Sequence, residues 1–245
     1  MTNLRCFGEM FKITVRCVCV SQRSGSHNIW PNWVYFLLTP LVYPVVGLLI
    51  VSPVYGHWVN KGKKHGVSIW IASSAHGEMS IKAQCLVKTD LSSFVAIMDD
   101  LPGMPKWVAY SREVKILERL SATENLVYSS FNLPWPIQNR DMVTYSKWSE
   151  GSNGDLYLDV TDKGVHYPKV KGFTRMTHID GHWSVIPLKN RMKVIQYEGQ
   201  VNPGGWLPSW IVNQMRVQST RKTMTDLCYR VAKSEYQHHR YSFIR

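Results

Sequence analysis

Residues 201–213 read VNPGGWLPSWIVN, and they mark the point where a strand-rich chain passes into its last helix. The Pro-Gly-Gly at 203–205 predicts a turn, because glycine adopts backbone conformations that are closed to other residues. Pro208 suits a first helical turn, since its missing N–H would be unpaired there anyway. Further on, four residues recur at helical spacing on one face: Met224, Leu227, Cys228 and Val231. We therefore predict one long helix over about residues 208–233.

The body upstream of this helix is a series of short apolar runs separated by turns that contain Gly or Asn. Such runs predict antiparallel strands, here at 67–73, 80–87, 114–120, 125–133, 141–149, 155–161, 173–179, 182–187 and 192–201. His76-Gly77 is the predicted turn of the first hairpin, and Asp180-Gly181 predicts a turn between two later strands. Leu91–Asp99 has helical spacing, and residues 104–110 predict a second short helix. The order indicates an α+β fold, in which a curved antiparallel sheet packs against the long helix around one interior.

The N-terminal part differs from this body. Residues 33–55 contain no charged residue over 23 positions, which is long enough to cross a bilayer as a helix. A basic lead precedes this run, as in a secretory signal, and Val54-Tyr55-Gly56 is a tolerable cleavage site. Prolines at 40, 44 and 53 would kink a helix. Three interpretations stay open: a cleaved signal peptide, a retained membrane anchor, or a hydrophobic element of a soluble protein.

The expected domain boundaries and the expected cellular location of the protein follow from this N-terminal apolar segment. We expect residues 1–56 to lie outside the folded domain, residues 57–237 to form it, and residues 238–245 to be a tail. The true start of the chain also stays open, with Met10 as an alternative. The chain is expected to be exported (periplasmic or extracytoplasmic) or membrane-anchored.

The net charge of the chain limits the classes of partner that it is expected to bind. Lys and Arg number 29 against 17 Asp and Glu, for a formal net charge of +12. Such a charge either serves solubility alone or indicates attraction to an anionic partner, which would be nucleic acid or a membrane surface. The densest cluster (Lys61, Lys63 and Lys64) is too sparse for a nucleic-acid arm, and the sequence has no helix-turn-helix, zinc-finger or RRM signature. We expect an anionic membrane surface as partner and no nucleic acid.

Two of the five cysteines, Cys85 and Cys228, lie in the predicted body. Their spacing supports neither a disulfide framework nor a zinc site. A single Cys85–Cys228 bridge in an oxidising compartment and two buried free thiols both stay open.

Four segments in order resemble the START (steroidogenic acute regulatory-related lipid transfer) family in its bacterial form. They are Pro105 with Trp107, LPWPIQNRDMV at 133–143, GHWSVIPL at 181–188, and VNPGGWLP with the following Ile-Val-Asn at 201–213. The resemblance covers about residues 57–233. It implies a helix-grip (START/Bet v 1-like) fold with an internal tunnel that holds a single lipid, which the protein carries or senses at membranes. Whether that lipid is a phospholipid, a sterol or a fatty acyl species stays open.

The resemblance also implies which residues contact the lipid. The expected cavity residues are Phe131, Met142, Thr144, Ser146, Trp206, Leu207, Ile211 and Met215. For each of them a plain core role stays open. Animal sterol-transfer members have an arginine at the position of Ser146. This difference puts a sterol-type polar contact in doubt.

The tunnel entrance is expected at residues 161–172, which correspond to a long loop that lies against the last helix in the family. The expected gate and membrane-contact residues are Lys163, Val165, Tyr167, Lys169 and Lys171. Cations suit anionic head groups, and apolar side chains suit shallow insertion. A polar hairpin loop with incidental lysines is the alternative interpretation.

Catalytic chemistry is weakly indicated. The sequence has no G-x-S-x-G, no Walker A loop and no H-E-x-x-H, and His178 with His182 lacks a third metal ligand. We expect no catalytic residue, metal or cofactor, and a monomer. The helix-grip superfamily also contains cyclases and dehydratases, so an enzyme acting on an apolar substrate in the same cavity is the alternative function. It would require a perturbed acid or base on the cavity wall.

Overall fold

The computed structural model of the 245-residue chain describes residues 57–73 and 79–244. Two α-helices lie within these ranges, α1 (Leu91–Asp99) and α2 (Ser209–Arg230). The strands are β1 (Val59–Lys64), β2 (Val67–Ser73), β3 (Met79–Lys88), β4 (Ser111–Arg119), β5 (Glu124–Phe131), β6 (Asn139–Glu150), β7 (Leu156–Asp162), β8 (Phe173–Arg175), β9 (Thr177–Pro187) and β10 (Met192–Asn202). None of the described helices is long and apolar enough to span a bilayer. The apolar run at 33–55 and the predicted turn at His76-Gly77 lie outside the described residues.

The strands form one sheet in the order β1-β2-β3-β10-β9-β7-β6-β5-β4. Neighbouring strands along this path are antiparallel, and β8 pairs in parallel with the start of β6. Side chains alternate between the two faces of each strand. We call the face that packs against α2 the inner face and the opposite one the outer face.

A disulfide between β3 and α2 identifies the inner face. Cys85 and Cys228 are bonded, with their Cα atoms 6.7 Å apart, so of the two interpretations open from the sequence the structure has the bridge. Cys85 is paired with Ile195 of β10, which is paired with Val185 of β9. These side chains are buried in one core with Met224 and Leu227 of α2. The sheet and the long helix therefore enclose a single apolar interior, as the sequence predicted.

Burial along α2 is uneven. Met224 and Leu227 in its second half are fully buried, whereas Ser209, Trp210 and Gln214 in its first half are exposed. The disulfide lies in the well-packed second half. The first half of α2 is therefore held by fewer buried contacts than the second.

Four details differ from the sequence predictions. The second short helix is a 3-10 turn at Leu101–Lys106, because Pro102 and Pro105 interrupt regular helical hydrogen bonding. β9 runs unbroken through Asp180-Gly181. Gly181 has no side chain, and this leaves room for the ring of Tyr197. The short β8 is parallel to β6, so the sheet is not a pure meander. β1 was not predicted, because an exposed edge strand lacks alternating apolar residues.

Candidate ligand-binding site

The expected cavity residues on β6 lie on the inner face. Met142, Thr144 and Ser146 alternate with outward residues and share their face with Trp148, which packs in the core. Thr144 is buried, and the other two are partly buried. Their contact with a ligand stays a prediction, but their position on the wall beneath α2 is the one that the prediction requires.

β5 extends the same wall. Phe131 is paired with Arg140, and Ser129 with Met142, so both side chains lie on the inner face. Asn125, paired with Ser146, is buried there with no hydrogen-bond partner for its Oδ1. This wall combines apolar side chains with hydroxyl and amide groups.

The expected residues at the start of α2 divide into two groups. Leu207, Ile211 and Met215 are partly buried. Trp206 is 88% exposed, so the structure places it at the surface and not in the cavity wall where we expected it. Its backbone explains this position, because Gly204 and Gly205 both have positive φ and turn the chain outward just before it.

Arg140 of β6 holds the segment that leads into α2. Its Nε donates to the carbonyl of Pro203 at 2.9 Å, its Nη2 donates to that of Gly204 at 3.3 Å, and its Nη1 donates to that of Gln138. The side chain is buried, and burial lowers the pKa of its guanidinium. Arg140 therefore joins the loop before β6 to the lead-in of α2, which is a structural role.

Asp141, the next residue, points to the outer face and binds Arg175 of β8. The guanidinium of Arg175 also donates to the carbonyls of Gly164, Tyr167 and Pro168 in the loop between β7 and β8. The hydrogen bond to Asp141 raises the pKa of Arg175. Two adjacent β6 residues thus anchor two segments, Arg140 the lead-in and Asp141 the loop.

The expected gate residues lie in that loop, though not as a wall of the interior. Lys163 and Tyr167 line an open depression of about 390 Å³ together with Leu120, Leu126, Tyr145 and His166. Tyr145 alternates with Thr144 and Ser146, so the depression lies on the outer face. Val165, Lys169 and Lys171 are exposed, as membrane contact would require.

Three tryptophans at this end of the sheet are exposed to solvent. Trp135, Trp206 and Trp210 are 93%, 88% and 67% exposed, and the loop adds Val165 at 86%. Arg140, Arg175 and a 2.9 Å hydrogen bond from Thr174 Oγ1 to Gln138 Oε1 hold the segments that carry them. We call Trp135, Val165, Trp206 and Trp210 the exposed rim. Trp135 and Trp210 were missed in the sequence, where isolated tryptophans give no sign of exposure.

Two further residues that the sequence did not single out lie between α2 and the sheet, Tyr197 on β10 and Arg216 on α2. The ring of Tyr197 on β10 packs 4.6 Å from that of Trp183, and burial raises the pKa of Tyr197 to about 12. Arg216 of α2 is partly buried close to it, and burial lowers the pKa of Arg216. In the sequence, Arg216 could have been noticed as a cation within the amphipathic pattern of the last helix.

Two pairs of acid–base side chains lie on the outer face of the sheet. His182 contacts Asp159, and both side chains are exposed on the outer face. Tyr145 hydrogen-bonds to Glu124, again on the outer face. Within the described residues no group of three or more metal-ligating side chains occurs. Asp99 differs from these pairs, because burial raises its pKa and it lines a depression with Tyr241 and the inner-face residues Asn125 and Trp148.

Comparison with known proteins settles the family. The family model of the START domain matches residues 56–234. The chain belongs to the START family. An uncharacterised protein of Pseudomonas aeruginosa is 25% identical over 192 residues, which span 78% of this chain and 93% of that protein. START domain-containing protein 10 of mouse is 25% identical over 187 residues, which span 74% of this chain and 64% of the mouse protein.

Solved START structures share the fold. The STAR-related lipid transfer protein of Xanthomonas axonopodis has a TM-score of 0.66 at 22% identity, covering 72% of this chain and 99% of that one. Human STARD10 has a TM-score of 0.64 at 23% identity, covering 73% and 74%. The bovine phosphatidylcholine transfer protein is 27% identical over 143 residues, which span 55% of this chain and 66% of that protein. The helix-grip START fold is thereby established, and membership of this family supports lipid binding in general.

Proposed function

We propose that this START domain binds one lipid molecule between its inner face and α2, and carries or senses it at an anionic membrane. The names of its relatives support a lipid as ligand class, since they include lipid transfer and phosphatidylcholine transfer proteins. The inner-face wall formed by β5 and β6 combines apolar side chains with hydroxyl and amide groups, a combination that suits lipid binding. We further propose that the protein is a monomer, which light scattering would test.

The binding free energy would come from removing apolar lipid surface from water. Each Å² removed contributes about 25 cal/mol. Burial of several hundred Å² therefore contributes on the order of 10 kcal/mol before the costs of association are subtracted. The residues expected to supply this contact are those on β5, β6 and the first half of α2 named above.

The exposed rim is the observation that carries the membrane part of the proposal. Large aromatic side chains in water are unfavourable, and Trp is enriched where protein meets the polar–apolar boundary of a bilayer. Lys169 and Lys171 are exposed in the adjacent loop. A lysine near an anionic surface contributes about 1 kcal/mol of attraction. The rim would insert while the lysines bind head groups.

Transfer of a fluorescent phospholipid between vesicles tests this proposal. We expect the full chain to accelerate transfer, and a triple variant with Trp135, Trp206 and Trp210 changed to Ala to lose most of that rate. Tyr229→Ala is the matched control, because Tyr229 is a 71% exposed aromatic at the other end of α2. A full chain that neither accelerates transfer nor retains any lipid after re-isolation would refute the proposal.

The charged part of the surface has its own control. Changing Lys169 and Lys171 to Gln is expected to reduce transfer from vesicles that contain anionic lipid, and to leave transfer from neutral vesicles unchanged. Changing Lys63 and Lys64 of β1 to Gln removes the same charge from exposed lysines on another edge of the sheet. Equal losses in the two pairs would show that overall charge, and not this loop, governs the rate.

We also propose that the chain is exported or membrane-anchored. A disulfide supports this location, because such bonds persist mainly in oxidising compartments. The uncharged run at 33–55 supports it from the sequence. Fractionation of the producing cell, with thiol labelling before lysis, would test the proposal. A protein found in the cytoplasm with both thiols reduced would contradict it.

A further inference from the structure

Arg216 lies on the side of α2 that faces the sheet, and only part of its guanidinium is engaged. Its Nη2 donates to the carbonyl of Val201 at 3.2 Å. Its Nη1 is shielded from solvent and has no hydrogen-bond partner among the described residues. Leu227 follows eleven residues later, about three helical turns, so the two side chains share the inward side of the helix. A buried N–H without an acceptor is rare, because it has lost its water and gained no replacement.

The two buried arginines of the described chain, Arg175 and Arg140, show what the partly buried Arg216 lacks. Arg175 has a carboxylate, Asp141, and three loop carbonyls. Arg140 donates to three carbonyls. Within the described ranges, none of the salt bridges involves Arg216. Arg216 has one backbone carbonyl and no carboxylate, so donors of its guanidinium remain free, and an anion is the acceptor that would also neutralise its charge.

The surface below Arg216 supplies no such anion, because Asp180, the carboxylate that acts on Tyr197, is exposed on the outer face. The surface consists of the Tyr197 ring lying over Gly199 and against Gly181, where a Cβ on Gly199 would overlap the tyrosine hydroxyl. Gly199 and Gly181 are paired across β10 and β9. The Tyr197 hydroxyl is therefore the polar group that this part of the sheet presents, and it is neutral.

Arg216 also lies close to the lead-in of α2. Val201, which accepts its hydrogen bond, is three residues before Gly204, whose carbonyl Arg140 binds. The first half of α2 is less buried than the second half, which the disulfide holds. A ligand that passes the lead-in of α2 would therefore meet Arg216 early.

We propose that Arg216 binds the anionic group of the lipid, a phosphate or a carboxylate, inside this START domain. The inference rests on the proposed lipid-binding function and adds the chemistry of the ligand's polar end. A guanidinium presents parallel N–H donors that match phosphate and carboxylate oxygens, and charge-assisted hydrogen bonds of this kind are stronger than neutral ones. A neutral lipid with the same acyl chains would leave Nη1 without an acceptor, and it is therefore discriminated against.

A competition between two lipids tests this assignment. The full chain is incubated with vesicles that contain equal amounts of phosphatidylglycerol and of diacylglycerol with the same acyl chains, re-isolated and extracted, and the bound lipids are counted by mass spectrometry. We expect wild-type protein to hold the phospholipid in about tenfold excess, as one charge-assisted pair would give. Arg216→Gln should still hold lipid but in a ratio near one, and Arg216→Lys should lie between them.

Arg221→Gln is the matched control. Arg221 lies on the same helix and loses the same charge, but its guanidinium donates to the backbone carbonyls of Val67, Lys61 and Gly62. Its lipid ratio should equal that of wild type. A second control, Ser146→Trp, places a large ring on the inner face, where the lipid is proposed to bind. Any lipid that this variant still holds is bound elsewhere on the chain. A falling ratio in Arg221→Gln would make the effect one of general charge and overturn the assignment.

The remaining outcomes separate this inference from the function on which it rests. Wild-type protein that binds lipid without preferring phosphatidylglycerol, or an unchanged preference in Arg216→Gln, overturns the role of Arg216 alone. Wild-type protein that holds no lipid overturns the proposed function as well. Equilibrium dialysis with inorganic phosphate and no lipid examines the other source of the anion. Stoichiometric phosphate binding that Arg216→Gln abolishes, without any lipid preference, would assign the site to free phosphate.

Discussion

Asp141 of β6 and Arg175 of β8 form a doubly hydrogen-bonded ion pair, with both N···O distances at 2.9 Å. The two side chains are 1% and 5% exposed, so the pair is shielded from water. The other N–H groups of Arg175 donate to carbonyls of the loop between β7 and β8. One guanidinium therefore joins β6 to three carbonyls of the loop that carries the lysines.

Replacing Arg175 by Met is expected to destabilise the fold by about 3–5 kcal/mol, because it leaves the Asp141 carboxylate buried without its partner. Urea denaturation measures this loss. Trypsin should also cleave faster at Lys163, Lys169 and Lys171, since the loop loses its hydrogen-bond donor. Arg191→Met is the control, because Arg191 and Asp90 form a pair that is exposed. That change should cost no more than about 1 kcal/mol. Equal losses in the two variants would contradict the anchoring role.

The Cys85–Cys228 disulfide closes a loop with a sequence separation of 143 residues. Its removal by Cys228→Ser is expected to lower the free energy of unfolding by about 2–4 kcal/mol, because the unfolded chain gains conformational freedom. Thermal unfolding with and without reductant measures the effect. Reductant should shift the wild-type midpoint and leave that of the variant unchanged. A cross-linked peptide pair found by mass spectrometry confirms the bond, and two free thiols there would contradict it.

Gly204 adopts a φ of +67°, and a Cβ on it would lie 2.6 Å from the carbonyl oxygen of Arg175. Gly204→Ala therefore combines backbone strain with a clash against backbone, and it should displace the lead-in of α2. We expect a loss of about 2–4 kcal/mol, of which strain contributes about 1–2 kcal/mol. Gly62→Ala isolates the strain, because Gly62 also has a positive φ but nothing within 4 Å of its added Cβ. Similar denaturation midpoints for the two variants would exclude the clash.

The raised pKa of Tyr236 predicts how the free energy of unfolding changes at alkaline pH. Burial and a hydrogen bond of 2.8 Å to Asp100 raise the pKa of Tyr236 to about 12, from an ordinary value of 10.0. As pH rises, the unfolded chain loses this proton first. The stabilising contribution is therefore complete below pH about 10 and is lost as pH rises towards about 12. Tyr197 and Tyr241 have their pKa values raised in the same direction, so their losses add.

Urea denaturation at pH 8 and at about pH 11 measures this dependence. Tyr236→Phe should cost about 1 kcal/mol at pH 8, from the lost hydrogen bond, and should show a shallower decline at alkaline pH. Tyr229→Phe should match wild type at both values, since Tyr229 is exposed. An equally steep decline in wild type and Tyr236→Phe would rule out Tyr236 as a source of the dependence.

The fold was largely predictable because its elements carry local periodic signals. Helical spacing gave α1 its observed bounds, and it gave α2 with an error of a few residues. The turn assigned to Asp180-Gly181 was wrong, since Gly181 serves to accommodate Tyr197 across the sheet. Gly181 and Tyr197 lie on different strands, so the residue pattern of either strand alone does not reveal their contact.

The candidate site was predictable only in part. Alternation along β6 placed Met142, Thr144 and Ser146 on one face, and the structure puts that face towards α2. Trp206 was misplaced, because its exposure depends on the two glycine turns before it and on what Arg140 holds. Arg216 was overlooked because a cation on a helix is ordinary until the surface opposite it is known.

The sequence by itself determined the class of fold, the family and the order of the elements, since periodicity, turn residues and motifs are local properties of the chain. The tertiary structure alone decided which side chains meet. It paired Asp141 with Arg175, joined Cys85 to Cys228, and left Nη1 of Arg216 without an acceptor. Hydrogen bonding and burial depend on distances between residues far apart in sequence, and only the packed sheet and helix fix those distances.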